Sequence, residues 1–423
     1  MRLPELLAPA GSQAMLETAF AFGADAVYAG QPRYSLRVRN NEFASFEALA
    51  AAIARARTSR KKFYLVANIF PHGAKLRTFL EDMRPAIELG PDALIMSDPG
   101  LILMVRETWP DVPIHLSVQA NTVNAAAVRF WESVGIRRVI LSRELSLEEI
   151  AEIRDACPNT ELEVFVHGAL CIAYSGRCLL SGYLNRRDAN QGACTNACRW
   201  NYEVQTARPD ASGDLYVIEE AERPGEYLPI EEDEHGTYVL NSKDLRAIEH
   251  VGRLVDIGVD SLKIEGRTKS PYYVARAAQA YRRAIDDTAA GRKFDAQLLA
   301  GLEGLANRGY TDGFFQRHHD AAYQNYLRGH SESERSLYVG ELVAYDAERG
   351  WADIDVKNRF ALGDRVEIVH PDGNFSATIS AMEGLAGEPV QVAPGSGYRV
   401  RVPLPPITAP AFLARLLEPA APV

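Results

Sequence analysis

Residues 163–198 read EVFVHGALCIAYSGRCLLSGYLNRRDANQGACTNAC and hold four of the five cysteines of the chain. An apolar, strand-like run over Glu163–Val166 leads into a glycine-punctuated segment in which Cys171, Cys178, Cys194 and Cys198 follow a C-x6-C-x15-C-x3-C spacing. Clustered thiols in a chain without a secretion signal are typical of metal or redox ligands rather than of structural disulfides. The stretch therefore predicts a metal centre that follows directly on a strand.

The cysteine spacing leaves the kind of metal centre open. Structural zinc sites favour short C-x2-4-C pairs in both halves, and only Cys194 and Cys198 approach that spacing. Four thiolates from a glycine-rich loop also suit a [4Fe–4S] cluster. The alternative is a set of small buried hydrophobic side chains, since free cysteine is among the most buried residue types, but the clustering argues against it. Cys157 ends a helical pattern in a different segment, and we expect it to be a structural thiol.

Residues 1–290 alternate short apolar runs with amphipathic helical patterns, which is typical of a (β/α)8 TIM-like barrel. The predicted strands are Glu5–Pro9, Ala26–Ala29, Phe63–Asn68, Ala93–Ser97, Ile114–Gln119, Arg138–Ser142, Glu161–Val166 and Ser261–Glu265. The predicted helices are Ser12–Gly23, Phe46–Arg57, Lys75–Gly90, Gly100–Trp109, Ala125–Gly135, Leu147–Ala156, Asp244–Gly258 and Pro271–Ala289. Because a count of units cannot prove closure, a doubly wound open sheet is the alternative.

Three further segments are predicted beside the barrel. Residues 168–241 form an insertion after the seventh strand, which carries the cysteines and a β-rich part and lies at the carboxyl face of the barrel. Residues 291–336 have the pattern of a helical connector. Residues 337–405 alternate short strands with glycine turns, which predicts a small β-barrel domain for RNA binding or for docking of a protein partner. Residues 406–423 are predicted to be a tail that forms a short helix.

Composition restricts the partners. The 423 residues are 47% hydrophobic and carry a net charge of −10, and no apolar run approaches the length of a membrane span. The N-terminal residues lack the layout of a signal peptide, so we expect a soluble cytoplasmic protein with no membrane partner. The acidic charge offers nucleic acid no general attraction, and RNA would have to bind local basic patches. The candidate patches are Arg186 with Arg187 between the cysteines, and the basic run Arg55–Lys62.

Polar side chains concentrate on the faces and ends of the predicted strands. Because strand residues alternate between two faces, we expect the polar face to point into the barrel. The catalytic candidates are His115, Glu163, His167, Lys263 and Glu265. The substrate-binding candidates are Asn68, Asp98, Gln119, Asn121, Arg143, Arg186, Arg187 and Arg267. Satisfied polar packing is the alternative, but this many polar strand ends favour a ligand site at the mouth of the barrel.

The residues around the first two cysteines resemble the signature of the collagenase-like peptidase family U32. The matching positions are Glu163, Phe165, Gly168, Ala169, Leu170, Cys171, Gly176, Cys178, Leu180 and Ser181. Supporting stretches are LLAPAG at 6–11, NSKDL at 241–245, KIEGRTKS at 263–270 and NRGYTDGF at 307–314. The resemblance therefore covers nearly the whole chain.

Some members of this family resemble oxygen-independent hydroxylases that act on the ubiquinone ring, on a cytidine of 23S rRNA, or on the wobble uridine of tRNA. One barrel followed by a small β domain is most similar to the tRNA branch. The resemblance therefore implies an enzyme that forms 5-hydroxyuridine in tRNA, with a [4Fe–4S] cluster on four cysteines. It also implies prephenate as co-substrate and hydroxyl source, and the two carboxylates of prephenate suit the arginines and the lysine at the mouth.

The family name implies peptide hydrolysis, for which the residues give no support. The chain contains neither an HExxH zinc-protease motif nor a GxSxG elbow, and no GxGxxG fingerprint follows the first strand. Three classes of function remain open at this level: RNA hydroxylation, which we prefer, a U32-type peptidase, and a non-catalytic iron–sulfur partner subunit. Sequence does not distinguish a catalytic cluster from a structural one.

Overall fold

The computed structural model describes residues 2–36, 42–170, 174, 243–307, 309–316 and 336–417, together with the backbone of five short strands between residues 202 and 237. Strands β1 to β7 span Glu5–Pro9, Ala26–Gly30, Lys62–Ala67, Ala93–Met96, Ile114–Leu116, Arg138–Ile140 and Glu161–Ala169. Strands β8 to β12 span Tyr202–Thr206, Tyr216–Glu220, Tyr227–Ile230, Glu232–Asp233 and Gly236–Thr237, and β13 to β15 span Asp244–Arg246, Ser261–Ile264 and Tyr310–Thr311.

Strands β1 to β7 and β14 form a closed parallel barrel, because β14 pairs in parallel with both β1 and β7. The closed (β/α)8 barrel is confirmed, and the open doubly wound alternative is wrong. Each of the eight predicted strands exists, with ends that differ by at most three residues from the prediction. Apolar side chains of the strands meet the surrounding helices in one continuous core, to which Leu6, Val27 and Leu262 belong.

Nine helices are described. Helices α1 to α9 span Gln13–Ala21, Phe46–Thr58, Gly73–Glu88, Pro99–Thr108, Ala125–Ser133, Leu147–Ala156, Val251–Ile257, Pro271–Ala289 and Gln297–Glu303. The caps explain where several of them begin: Ser12, Ser45, Asn124 and Ser270 each accept a hydrogen bond from a backbone N–H in the first turn. Ser146 and Glu149 form a reciprocal capping box at the start of α6. In the part of the chain that the structure describes, no helix is long and apolar enough to cross a membrane.

The predicted helix Asp244–Gly258 is too long. Residues Asp244–Arg246 form β13, which pairs antiparallel with the end of β7 so that Leu245 lies opposite Gly168. Helix α7 begins only at Val251. Strand β7 continues past the barrel to Ala169, and β13 satisfies the backbone groups that this extension would otherwise leave unpaired. The segments before and after the insertion therefore meet at the carboxyl end of the barrel.

The insertion contains an antiparallel sheet of β8, β9 and β10 and a short hairpin of β11 and β12. The four clustered cysteines of the insertion lie outside the described residues. The connector that was predicted to be helical holds α9 and also β15, which pairs in parallel with β13.

The C-terminal domain is a curled antiparallel β domain. Strands β16 to β24 span Ser336–Asp346, Trp351–Val356, Phe360–Ala361, Arg365–Val369, Phe375–Thr378, Glu383–Gly384, Val392–Ala393, Arg399–Pro403 and Phe412–Leu416. The predicted tail helix is wrong over Phe412–Leu416, because β24 lies between β19 and β16 in the sheet. Leu413 packs in the core of the β domain, whereas Phe412 and Ala414 pack in the barrel core. A strand buried on both faces has a continuous apolar run, which resembles a buried helix in sequence.

The two domains are joined through helix α8. The rings of Tyr272 and Tyr338 stack with centroids 4.7 Å apart, and Arg276 forms a two-point ion pair with Glu367. The ring of Phe412 packs 6.1 Å from that of Tyr272. The β domain thus packs against an outer helix of the barrel, and these contacts do not involve the carboxyl ends of the barrel strands.

Candidate active site at the mouth of the barrel

A chain of ion pairs crosses the barrel interior. Glu5 Oε1 lies 2.7 Å from Arg138 Nη1, which lies 3.1 Å from Glu163 Oε2, and Glu163 Oε1 lies 2.8 Å from Lys263 Nζ. The four side chains are between 0% and 9% exposed. We call Glu5, Arg138, Glu163 and Lys263 the interior ion network. Its two carboxylates and two cations balance, which is required because an unpaired charge in a barrel core would be costly.

The interior ion network shifts the pKa values of its own cations and of the neighbouring His115. Burial opposes the charge of Arg138, but the carboxylates of Glu163 and Glu5 outweigh it and raise the pKa of the guanidinium. Burial lowers the pKa of Lys263 although Glu163 opposes this shift. For His115, burial and then the charges of Arg138 and Lys263 push the pKa well below the usual value. His115 is therefore a neutral imidazole at neutral pH and can exchange hydrogen bonds without carrying charge.

Three cations lie on one side of the mouth. Lys263 Nζ is 4.5 Å from the ring centroid of Tyr28, and the guanidinium of Arg143 is 3.8 Å from that of Phe165. Arg267 donates to Leu36 O at 2.7 Å. Gly30 leaves room for Arg267, since a Cβ at Gly30 would lie 2.9 Å from its Nη1. We call Arg143, Lys263 and Arg267 the cationic half of the mouth.

Glu265 is the carboxylate of this half. It accepts a hydrogen bond from the Tyr28 hydroxyl at 3.3 Å and lies 3.9 Å from Arg143 Nη2, with its side chain 14% exposed. Glu163 in contrast is fully buried, and its two carboxylate oxygens pair with Arg138 and Lys263. Glu265 is therefore better placed than Glu163 to exchange a proton with a ligand, and Glu163 is placed to hold Lys263.

On the opposite side of the mouth, the described residues offer a patch of neutral polar side chains. Asn68, Ser97, Ser117 and Gln119 follow β3, β4 and β5, and each is at most 8% exposed. Asn68 Nδ2 donates to Ser117 Oγ at 3.3 Å, and Ser97 Oγ donates to Gln119 Oε1 at 3.3 Å. We call these four residues the neutral half of the mouth. Ser97 was not among the sequence candidates, although it is the last residue of a predicted strand beside Asn68.

Two substrate-binding candidates have structural roles in the fold. Asp98 is the N-cap of α4, where its Oδ1 accepts from Leu101 N at 2.8 Å. Asn121 has a left-handed backbone with φ 51° and donates from Nδ2 to Gln119 O at 3.2 Å. Asp98 thus orients a helix, and Asn121 shapes the turn that holds Gln119.

His167, a predicted catalytic residue, points away from the mouth. The pairing of β7 with β14 shifts between Lys263 and Ile264, so that Ile264 lies opposite His167 and Val166 is the extra residue. Such a bulge reverses the alternation of side chains beyond it. The imidazole therefore packs among three tyrosine rings at 5.5–5.7 Å. These rings belong to Tyr273, Tyr281 and Tyr310.

The end of β7, just before the cysteines in sequence, passes close to Glu265. Gly168 has a φ of 110°, and a Cβ there would lie 2.7 Å from Glu265 O, so only glycine fits at this point of β7. The candidate ligands Cys171, Cys178, Cys194 and Cys198 lie outside the described residues, as do Arg186 and Arg187. Among the residues that are described, no group of three or more His, Cys, Asp or Glu side chains could hold a metal ion. A set of four thiolates fits a [4Fe–4S] cluster by its donor chemistry.

The basic run Arg55–Lys62 lies away from the mouth. It connects the end of α2 to the beginning of β3, at the amino-terminal end of the barrel. Arg55 pairs with Glu17 at 2.7 Å, and Lys62 pairs with Glu5 at 2.8 Å. This run is poorly placed as an RNA site for the reaction, because Arg55 and Lys62 already have acidic partners and the run lies at the end of the barrel opposite the mouth.

Arg138 is a further residue of the site that sequence reasoning missed, besides Ser97 and Ser117. It is the first residue of a predicted strand, where an arginine suggests a solvated edge. Its position opposite His115 in the register of β5 and β6 places it in the interior. The alternation of side chains along one strand predicts that His115 points inward. The same conclusion for Arg138 requires the register of β5 with β6, which the sequence does not show.

A closed eight-stranded parallel barrel surrounded by helices defines a TIM-barrel protein, and its charged and polar side chains make the mouth the candidate ligand site. Residues 11–325 match the model of peptidase family U32, and residues 334–415 match that of the peptidase family U32 C-terminal domain. The chain belongs to peptidase family U32.

Relatives cover nearly the whole chain. The chain is 58% identical over 427 residues to tRNA hydroxylation protein P of Escherichia coli (strain K12). This alignment covers 95% of this chain and 94% of that protein. The chain is 54% identical over 430 residues to tRNA hydroxylation protein P of Haemophilus influenzae, covering 95% and 93%. It is also 29% identical over 420 residues to a collagenase of Porphyromonas gingivalis, covering 95% and 94%.

Proposed function

We propose that the protein hydroxylates tRNA, at the wobble uridine, to form 5-hydroxyuridine without molecular oxygen. The observation that carries this proposal is the identity of 58% and 54%, across 95% of the chain, to proteins named for tRNA hydroxylation. The similarity includes both the barrel and the C-terminal domain, so it is not a likeness of the fold alone.

The cationic half of the mouth supports a dicarboxylate co-substrate, for which we propose prephenate as the hydroxyl source. Arg143 and Arg267 can each bind a carboxylate through two N–H groups, and Lys263 adds a point charge between them. The aromatic faces of Tyr28 and Phe165 lie against these cations and keep them in a low-dielectric environment. A dianion would therefore gain more from these charges than it would in water.

The cofactor of this proposal is a [4Fe–4S] cluster held by Cys171, Cys178, Cys194 and Cys198. When bound, such a cluster supplies either electron transfer or an iron that acts as a Lewis acid. The residues of the barrel have separate tasks. Lys263, held by Glu163, anchors the anion. Glu265 is the candidate for moving a proton, and neutral His115 can accept or donate a hydrogen bond below the ligand.

Binding of tRNA would depend on local charge, since the protein as a whole carries −10. Arg186 and Arg187, between the cysteine pairs, are our candidates for the anticodon backbone. A base has to leave its stack to reach a centre inside a barrel, and a single-stranded loop makes this inexpensive.

The proposal is tested with a strain that lacks the gene for this protein. Mass spectrometry of its tRNA nucleosides should show a loss of 5-hydroxyuridine, which the wild-type gene restores. The double substitution Arg186→Ala and Arg187→Ala should fail to restore it, whereas the matched double substitution Arg55→Ala and Arg60→Ala, at the other end of the barrel, should restore it. Unchanged 5-hydroxyuridine in the deletion strain would disprove the proposed function.

The co-substrate has its own test. Prephenate should raise the melting temperature of the purified protein by mass action. Lys263→Ala or Arg267→Ala should abolish this shift while the cluster absorbance is retained. Normal binding by both variants would place the dicarboxylate elsewhere.

The 29% identity to a collagenase keeps peptide hydrolysis as a second candidate. Cleavage of a peptide by metal-free protein would favour it. A non-catalytic iron–sulfur subunit that docks through the C-terminal domain would instead show turnover only after a second protein is added.

A further inference from the structure

We propose that the neutral half of the mouth is the subsite for the base, and that it selects a uracil over a cytosine by donating hydrogen bonds to a keto oxygen. This inference rests on the proposed function, which it deepens by naming the residues that choose the base. The cationic half would then bind the anionic co-substrate on the opposite side of the same mouth.

The neutral half is built by the register of three neighbouring strands. Ala67 lies opposite Met96, and Met96 lies opposite Leu116. The next residues along these strands are Asn68, Ser97 and Ser117, which therefore stand side by side at the carboxyl end of the barrel. Gln119 follows two residues later in a single 3-10 turn. The four side chains form one patch at the edge of the cavity rather than scattered polar groups.

Most of the polar side-chain atoms in this patch form hydrogen bonds within the protein. Asn68 Oδ1 accepts from Leu36 N at 3.2 Å while its Nδ2 donates to Ser117 Oγ. Ser97 Oγ lies within hydrogen-bond distance of both Gln119 Oε1 and Asn68 O. Both ends of the Asn68 amide are thus occupied, and the Gln119 amide is turned with its oxygen toward Ser97.

Two donors in the patch are left over. The Gln119 amino group and the Ser117 hydroxyl hydrogen make no hydrogen bond to any residue in the described part of the chain. Gln119 is 4% exposed and Ser117 is 3% exposed. Both donors are therefore available to a ligand that brings an acceptor. The patch is thus a preorganised donor site.

The absence of charge in the patch decides the class of ligand. Asp98 is the nearest acidic residue in sequence, and its carboxylate caps α4. An anion in the neutral half would lose its hydration without gaining a counter-charge from these four side chains, whereas a neutral heterocycle loses little. The cationic half, with Lys263, Arg143 and Arg267, offers an anion the better position.

Donors distinguish the two pyrimidines. The base edge carries a keto oxygen at position 4 in uracil, as in thymine, and an amino group at the same position in cytosine. Cytosine would place its N4–H2 donors against the donors of Gln119 and Ser117, and both sides would remain unpaired. A site built to satisfy hydrogen bonds rejects a ligand that leaves them unmade. The patch should therefore prefer a uridine at the wobble position.

The test uses anaerobically purified full-length protein and two anticodon stem-loop RNAs that differ only in U or C at the wobble position. Fluorescence anisotropy should show tighter binding of the U loop by about tenfold, the discrimination typical of one good base contact. Gln119→Leu should remove this preference, and Gln119→Glu, which offers an acceptor in place of the donors, should shift it toward the C loop. Ser117→Ala should weaken it.

Controls separate this inference from its premises. Gln279→Leu, on the outer helix α8, should keep the preference, and all variants at residues 117 and 119 should keep the prephenate-induced rise in melting temperature. Equal binding of both loops by the wild type, or an undiminished preference in Gln119→Leu, would overturn the inference. The nucleoside analysis of the deletion strain decides the proposed function separately, because it does not depend on Gln119.

Discussion

Lys263 and Glu163 form an ion pair inside the barrel, with 2.8 Å between Nζ and Oε1 and side chains that are 4% and 0% exposed. The two residues lie on neighbouring strands, where Lys263 is opposite Phe165 and so reaches back to Glu163, two residues earlier. The pair places a fixed ammonium at the level where a ligand would enter. It also occupies the carboxylate of Glu163, which therefore acts by positioning Lys263.

The first prediction concerns this pair. Glu163→Gln removes the negative charge that opposes the effect of burial on Lys263. The pKa of Lys263 should fall further, so that the ammonium is lost at lower pH than in the wild type. Dicarboxylate binding, measured by calorimetry between about pH 6 and about pH 9, should therefore begin to weaken at lower pH in the variant. Superimposable pH profiles would contradict the positioning role of Glu163.

A second prediction concerns stability. Arg138→Met leaves two buried carboxylates without their shared cation, and we expect it to lower the free energy of unfolding by about 3–5 kcal/mol. Arg349 and Glu383 also pair, at 2.8 Å, but Arg349 is 46% exposed. Arg349→Met should have a much smaller effect, because water screens that pair. Denaturant unfolding of both variants compares them directly, and equal losses would argue against a special role for the interior ion network.

The third prediction is a pH dependence. Burial, with a smaller effect from Arg246 and Lys269, lowers the pKa of His167 to about 3 from an ordinary value of 6.5. The unfolded chain therefore takes up this proton first, and stability should be lost as the pH falls from about 6.5 toward about 3. At pH 5 the loss amounts to about 2 kcal/mol for this histidine.

His167→Phe should flatten this dependence. Neither ring nitrogen of His167 has a hydrogen-bond partner among the described residues, and three tyrosine rings surround the side chain, so phenylalanine fits the chemistry of the site. Urea unfolding at about pH 7 and about pH 5 checks the prediction. Should the variant lose as much stability on acidification as the wild type, the burial of a neutral His167 is not the cause.

The fourth prediction concerns the cysteines. Anaerobically purified protein should be brown and contain about four irons per chain. Serine at any one of Cys171, Cys178, Cys194 or Cys198 should bleach it. Cys157→Ser is the matched control and should retain the iron, because the Cys157 thiol is 2% exposed and its Sγ lies 3.5 Å from Ala125 O. Stoichiometric zinc without iron would show that the donor set holds a different metal.

Local patterns were sufficient for most of the fold. The alternation of strands with capped helices predicted the barrel, since each βα unit buries one apolar face in a way that its own residues specify. The same reasoning failed for β24, because Phe412 and Leu413 are buried on opposite faces by two different domains. It failed for β13 because Asp244–Arg246 adopts a strand only where the extended β7 offers a partner.

The alternation of strands and helices, the resemblance to the family and the candidate residues at the strand ends could be predicted from sequence alone, because strand period and motif spacing are local properties of the chain. Closure of the sheet and the contacts among these residues required the three-dimensional fold. Closure of the barrel by β14 brings Lys263 to Glu163, and the register of β5 with β6 brings Arg138 into the interior. A single bulge at Val166 turns His167 away from the mouth. Pairing partners and register depend on residues about a hundred positions apart, as the separation of Lys263 from Glu163 shows, and no local pattern encodes them.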